Sequence, residues 1–318
     1  MQSMQKDTIR SFSSIKMCKG LQPEVQILNR HLHVDTIPLL LGPSGVGKNE
    51  LAKYVHYNSH RKYGPFIEVN CASIPEDRFE AEMFGWQKGS FTTALYNRKG
   101  YFQMAHNGTL FLDEIAEFST SCQAKMLSAI ETKTILPLGA HRPINVDCRI
   151  MAATNADLKE MLKRDSILEP FFWRIWEVPI RIKSLNDRKS DIPLLINYFL
   201  EKYSSGKLSI IEPDAQKMLL YYSWPGNVRQ LKNTIKRAVA ESENKIITVE
   251  LIKPWLAEFD DISYDLKSAI GTYEKRIIES ALVSKESIKN AARFLDIPYS
   301  TLKSKCKKYN IKPSSKHN

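Results

Sequence analysis

The sequence predicts an α/β fold: a parallel sheet covered by helices, then an all-helical unit, then a C-terminal helix-turn-helix. Three observations carry this. Short apolar runs alternate with helical patterns between Ile37 and Thr154, the arrangement of a parallel sheet buried on both faces. Beyond about Ile182 the strand-like runs cease and only helical patterns follow. Near the C-terminus two short helical segments flank a break at Asp296, Ile297 and Pro298.

The elements follow in order. Residues 1–20 show no clear period and read as a tail or a short lead-in helix. Ile37–Leu41 is an apolar run ending at a glycine, as a buried strand does. A helical pattern comes next, with Leu51, Ala52, Val55 and His56 on one face. Phe66–Cys71, Thr109–Leu112 and Arg149–Thr154 read as three further strands, with helical stretches such as Ser121–Glu131 between them. The α/β unit is placed at residues 21–182. Ile192–Tyr203, Asp214–Tyr222 and Asn227–Glu241 read as helices with no strand among them, which gives a helical unit over 183–257. The acidic stretch 258–265 reads as a linker, and 266–318 as three helices and a basic tail.

The bulk numbers set bounds. The 318 residues suffice for two or three domains, and 43% hydrophobic with 25% charged residues is ordinary for a soluble globular chain. A formal net charge of +11 suits a polyanionic partner, although a generally basic surface gives the same number. The five cysteines are scattered and form no C-x-x-C pair, which argues against a disulfide framework or zinc site and for a reducing compartment. Basic residues near the N-terminus lack an apolar run behind them, so no secretory signal is read, and no stretch approaches the about 18 apolar residues of a membrane span. The expected location is the cytoplasm, with no membrane partner.

The first strand runs into Gly42-Pro43-Ser44-Gly45-Val46-Gly47-Lys48, and a helix follows. That is the context of a phosphate-binding loop: glycines let the backbone N–H groups close around phosphates, the helix N-terminus adds a favourable dipole, and Lys48 supplies a point charge. Asn49 stands where a serine or threonine hydroxyl would ligate Mg²⁺, so the metal must rest mostly on another carboxylate. The candidate ATP-binding stretch runs from Gly42 through Asn49 and Glu50. The strand Thr109–Leu112 leads into Asp113 and Glu114. Asp113 at the strand tip would hold Mg²⁺ and Glu114 would polarise an attacking water. Together the two motifs specify binding of a nucleoside triphosphate, with hydrolysis expected.

From about Leu21 to Glu241 the chain resembles the central domain of sigma-54-dependent transcription activators, the bacterial enhancer-binding proteins. Met83-Phe84-Gly85 with Lys88–Ala94 resembles that family's "FG…KGAFTGA" signature; Arg149–Asn155 resembles its sensor I strand; Trp224–Leu231 resembles the start of its sensor II helix; and Phe66–Ile74 and the Asp113-Glu114 strand also match. The resemblance implies an AAA+ P-loop NTPase core with a helical lid, assembled as a homo-oligomeric ring, six subunits being the expected number, with ATP between neighbours. It implies that Asn70 restrains Glu114, that Asn155 senses the γ-phosphate and that Arg229 reaches the nucleotide from the lid. Where the family reads "FREDLYYRL", Ile167–Ile175 here reads ILEPFFWRI. Arg174 matches the second arginine, an arginine finger, and Leu168 stands at the first. A surface salt bridge is the alternative for Arg174.

The sigma-54 contact implied by the resemblance is Gly89, Ser90, Phe91, Thr92, Thr93 and Ala94. Phe91 and Thr92 are kept, and Thr93 replaces a glycine, which reshapes a tight loop because a β-branched residue takes positive φ at a cost.

At the C-terminus, Leu266, Ala269, Ile270, Tyr273, Ile277, Ala281 and Leu282 fall near one helical stripe. Ile288, Ala291, Ala292 and Leu295 follow, then the break, then a lysine-rich helix over Tyr299–Tyr309. This resembles a Fis-type helix-turn-helix. Tyr299, Ser300, Thr301, Lys303 and Lys305 would face the major groove or its rim, with Lys307, Lys308 and Lys312 on phosphate; a solvated helix face is the alternative.

The expected function is ATP-driven remodelling of the closed complex of the sigma-54 RNA polymerase holoenzyme by a protein bound at an upstream DNA site. With about 20 residues ahead of the resemblance, control falls to a separate regulatory protein, to expression level, or to nothing. Two further readings stay open: a DNA-binding regulator that hydrolyses ATP weakly, and an AAA+ remodeller of another partner.

Overall fold

A computed structural model describes residues 15, 18–92, 94–204, 210–242, 246–257, 274, 277–278, 281–282, 288–309 and 311. The chain divides into two compact units, residues 1–252 and 253–318.

Unit one is built on a five-stranded parallel sheet. Its strands are β1 (Pro38–Leu41), β2 (Phe66–Asn70), β3 (Thr109–Asp113), β4 (Arg149–Thr154) and β5 (Val178–Arg181), in the spatial order β2-β3-β4-β1-β5. The three inner strands are buried almost throughout, whereas β2 is mostly accessible and β5 alternates buried with exposed. That contrast follows from position, since inner strands of a parallel sheet are covered on both faces and edges are not. β5 was not expected. Pro179 interrupts its apolar character, and proline is tolerated there because β5 is an edge strand.

The principal helices of this unit are α1 (Gln22–Arg30), α2 (Lys48–Asn58), α3 (Phe79–Phe84), α4 (Thr120–Thr132), α5 (Leu158–Lys163) and α6 (Glu169–Ile175). The expected face of α2 is inward: Leu51, Ala52, Val55 and His56 are all buried. Arg149, also buried, donates from its two terminal nitrogens to the carbonyls of His31 and Leu32, at 2.7 and 3.0 Å. It thereby caps the carbonyl end of α1 from within the sheet.

Three lid helices follow: α7 (Ile192–Tyr203), α8 (Pro213–Tyr221) and α9 (Asn227–Glu241). Ile196, Phe199, Leu219, Trp224, Leu231 and Ile235 are buried here. The expectation of no strand in this region needs correction, because Ile210–Ile211 pairs in parallel with Ile246–Ile247. Two residues are too few to leave a periodic signal. A further helix, α10, covers Val249–Ala257.

The stretch read as a tail is also built into the fold in part. Ile15 and Cys18 are buried, and Lys19–Leu21 forms a helical turn. Gly20 N–H donates to Asp191 Oδ1 at 2.8 Å, and a Cβ at Gly20 would lie 2.5 Å from that of Arg188.

In unit two, α11 (Ile288–Phe294) and α12 (Tyr299–Lys308) enclose Ala291, Ala292, Leu302 and Cys306. Asp296, in the turn, adopts the left-handed conformation at φ +52°, which aspartate accepts more readily than most side chains. Ahead of α11, Ile278 is buried and Ile277 is 40% exposed. The expected stripe is therefore corrected by one position. Leu266, Ala269, Ile270, Tyr273, Lys312 and the linker 258–265 lie outside the described residues.

Candidate functional site

The phosphate loop joins β1 to α2 at the C-terminal edge of the sheet. Gly42, Gly45 and Gly47 all have positive φ. A Cβ on Gly45 would meet the carbonyl oxygen of Gly226 at 2.5 Å, so both backbone angle and the approach of the lid require glycine there. Lys48 opens α2 and is buried; its Nζ donates to Gly42 O at 2.9 Å and lies 3.9 Å from Glu114 Oε1. Burial lowers the Lys48 pKa, against the raising effect of Glu114 and Asp113.

Asp113 ends β3, and Glu114 follows it in the left-handed region at φ +54°. Burial raises the Asp113 pKa, opposed by a hydrogen bond from Asn49. Glu114 Oε2 accepts the Asn155 backbone N–H at 3.2 Å. Asn155, just beyond β4, therefore meets Glu114. Asn70 does not: its side chain accepts from Ala72 N–H, and its register partner on β3 is Asp113. The restraint that Asn70 was expected to place on Glu114 would use its amide N–H, since a carboxylate only accepts, and among its described bonds only the carbonyl is engaged, in a local turn.

Arg229 reaches the loop from α9. Its Nη1 donates to Ser44 Oγ at 2.9 Å, and its backbone N–H to Gly45 O. Asn227 donates to Ser44 O at 3.0 Å and accepts from Leu185 N–H.

Sequence reasoning missed two residues here. Arg188, fully buried, donates to Val46 O at 2.7 Å and pairs with buried Asp191. Its run, Asp187–Asp191, contains only charged and polar residues and so carries no apolar signal of burial. Glu68 on β2 accepts from Asn49 Nδ2 at 2.5 Å; its signal was a charged residue inside a strand-like run.

Lys48, Asn49, Glu68, Asp113, Glu114, Arg188 and Arg229 line a cleft of about 370 Å³ together with the apolar or aromatic side chains of Ile15, Leu21, Leu195, Tyr198 and Phe199. A lining that combines cationic and backbone N–H groups with apolar side chains suits a ligand that is part charged and part aromatic, as a nucleotide is. The Cys18 thiol is pushed up to about 12 by burial and by Asp191, so it acts as a wall and not as a nucleophile.

Arg174 lies elsewhere. It lies in the last turn of α6 and donates to Glu177 Oε1 at 2.6 Å. Glu177 Oε2 accepts from Ile37 N–H at 2.8 Å. Ile37 precedes β1 and Gly42 follows it, so roughly 16 Å of extended chain separates this pair from the phosphate loop. Leu168 is partly buried against the core, its N–H bonded to Gln123.

The Gly89–Ala94 loop is a compact turn. Gly89 N–H donates to Ala94 O at 2.9 Å and Ala94 N–H to Phe91 O at 3.0 Å, with Gly89 at φ +82°. Phe91 is 41% exposed, its ring edge-on to Trp86 at 5.5 Å, and Trp86 lies under Arg98. Thr92 is exposed; Thr93 lies outside the described residues. The loop base bonds to a hairpin formed by Thr134–Ile135 and Ile144–Asn145, through Gln87 N–H to Leu138 O. Leu95 and Tyr96 extend the exposed apolar surface.

In unit two, Tyr299, Ser300, Lys303, Lys307 and Lys308 are exposed and Thr301 is partly so. Lys305 is paired in this structure: its Nζ donates to Glu274 at 2.5 Å, and Tyr309 OH bonds the same carboxylate at 2.6 Å, a part-exposed contact that a DNA phosphate would have to displace. Among the described residues no group of three or more His, Cys, Asp or Glu side chains could hold a metal by itself, and no helix is long and apolar enough to cross a membrane.

The parallel sheet, phosphate loop, acidic strand tip and lid arginine define an AAA+ P-loop protein of the ATPase type. The chain belongs to the sigma-54 interaction domain family, which matches residues 15–181, and residues 186–267 match an AAA+ ATPase lid domain. Regulatory protein AtoC of Escherichia coli (strain K12) is 40% identical over 290 residues, covering 87% of this chain and 63% of that protein. Nitrogen fixation protein VnfA of Azotobacter vinelandii is 37% identical over 295 residues, covering 90% of this chain and 56% of that one. The chain thus spans about three fifths of the length of these curated relatives. The crystal structure of NtrX from Brucella abortus in complex with ATP superposes with a TM-score of 0.70 at 28% identity, over 92% of this chain and 68% of that one.

Proposed function

We propose that this protein is a cytoplasmic, DNA-bound transcription activator that hydrolyses ATP to open sigma-54 RNA polymerase promoter complexes. The observation that carries the reading is one compact unit holding both a Lys48–Asp113–Glu114 cleft and an exposed aromatic loop at Phe91. ATP enters with its base against the apolar side chains of the cleft and its phosphates in the Gly42–Gly47 loop. Lys48 exchanges the Gly42 carbonyl for the outer phosphate oxygens. Glu114, fixed by the Asn155 N–H, positions the attacking water. Arg229 contacts the nucleotide from the lid, and Arg174 of one subunit serves the ATP of a neighbour in the ring. The donor set fits Mg²⁺, which is commonly held by one or two carboxylates together with substrate phosphates. Asp113 would hold the ion, with Asn49 beside it, and when bound it neutralises phosphate charge. Tyr299, Ser300, Lys303, Lys307 and Lys308 contact DNA.

A second reading, ATP as a slowly hydrolysed ligand, is favoured by Asn49 at the hydroxyl position with its amide engaged by Glu68. Transcription in vitro from a sigma-54 promoter, with ATP and with a non-hydrolysable analogue, decides between them. Transcript with ATP alone is expected; transcript with neither, alongside slow turnover, supports the second reading.

A further inference from the structure

Within a single chain, the Arg174 guanidinium is already neutralised. Glu177 binds it at 2.6 Å while its second oxygen is fixed on Ile37 N–H at 2.8 Å. From this geometry we infer that Glu177 is a positioning residue: it holds Arg174 in place until the nucleotide of a neighbouring subunit competes for the guanidinium. The inference rests on reading Arg174 as an arginine finger.

The physical case has three parts. First, reach: Arg174 sits beside Ile37, at the start of β1, while its own subunit's phosphate loop begins at the far end of that strand. Its phosphate partner must therefore come from another copy. Second, strength: the pair is half-exposed, at 36% and 27%, so it is weak enough to exchange and strong enough to set the resting population. The phosphates of ATP carry more charge than one carboxylate and match the planar guanidinium fork equally well. Third, anchoring: Glu177 cannot follow the departing arginine, because the Ile37 N–H holds its other oxygen. The carboxylate stays behind to recapture Arg174 when the phosphate leaves. The same anchor sits at the head of the strand that carries the subunit's own phosphate loop.

ATP turnover of the full chain, measured over a protein-concentration series, tests this, since a site completed by a second copy has a concentration midpoint. Glu177→Gln keeps an oxygen for Ile37 N–H but removes the charge. Its midpoint is expected to fall roughly two- to fivefold, the scale of one part-exposed ion pair. Glu177→Asp keeps the charge but is one methylene too short to span both partners, and should shift in the same direction. In an Arg174→Ala background, Glu177→Gln should leave the sedimentation midpoint for assembly unmoved, which a merely structural role would not predict. Normal turnover by Arg174→Ala would remove the finger reading and the clamp with it. An inactive Arg174→Ala together with an unmoved or raised midpoint in stable Glu177 variants overturns the clamp alone.

Discussion

Truncating Phe91 to alanine separates a partner contact from a core residue. A fully buried phenylalanine costs about 3–5 kcal/mol when cut to alanine. Phe91 is 41% exposed and has one described ring neighbour, Trp86. Its edge-on contact is worth about 0.5–1.5 kcal/mol, and the part-exposed ring loses only some of its transfer energy, so about 1–2 kcal/mol is expected. For a unit of this size that lowers Tm by about 3–6 °C. The nucleotide cleft does not include Phe91, so turnover should stay within about twofold while sigma-54-dependent transcript disappears, because exposed aromatics often dominate a binding surface. Thermal melts, steady-state turnover and promoter opening are to be measured on the same preparation. A loss of more than about 3 kcal/mol with a parallel fall in turnover would make Phe91 a core residue. A stable variant that still opens promoters would remove the loop from the mechanism.

Glu114→Gln should retain nucleotide binding and lose about 10²–10⁴-fold in turnover, as removal of a water-positioning base does; a loss under tenfold moves that role elsewhere. Arg188→Ala strands buried Asp191 and frees the Val46 carbonyl, and should cost about 3–5 kcal/mol in denaturant unfolding; a change below 1 kcal/mol on the same scale refutes the buried-pair argument. Buried His56 bonds Thr109, and burial pulls its pKa down to about 4 from 6.5. The unfolded chain therefore binds the proton first as pH falls, and stability should decline between pH 6.5 and 4, by up to about 3 kcal/mol. His56→Gln should flatten that part of a pH series of unfolding midpoints, and an unchanged slope would assign the loss to other groups. Deleting 266–318 should abolish site-specific DNA binding and leave ATP turnover; a retained footprint would place the reader elsewhere.

The inner strands and the phosphate loop were legible because each is a local pattern: apolar runs four to six residues long and glycines at fixed spacing. Edges and contacts between distant segments were not. β5 hides behind Pro179, and the 210–211 and 246–247 pair has no period to read. Arg188 and Glu68 look like ordinary surface charges until folding brings one to Val46 and the other to Asn49. Asn155 was legible as a site residue through its strand, but its backbone, not its side chain, is what meets Glu114. Lys305 illustrates the converse, since the lysine-rich helix was clear and Glu274, its partner 31 residues earlier, was not.

With the water-positioning role proposed for Glu114, its left-handed backbone would set stability against activity at a single position. Glutamate there forfeits about 1–2 kcal/mol that glycine, or in part asparagine, would recover. A mutant library screened only for heat resistance should therefore enrich Gly or Asn at 114 and drift toward inactive proteins. The same library screened for promoter opening should retain glutamate and seek its added stability elsewhere in the chain.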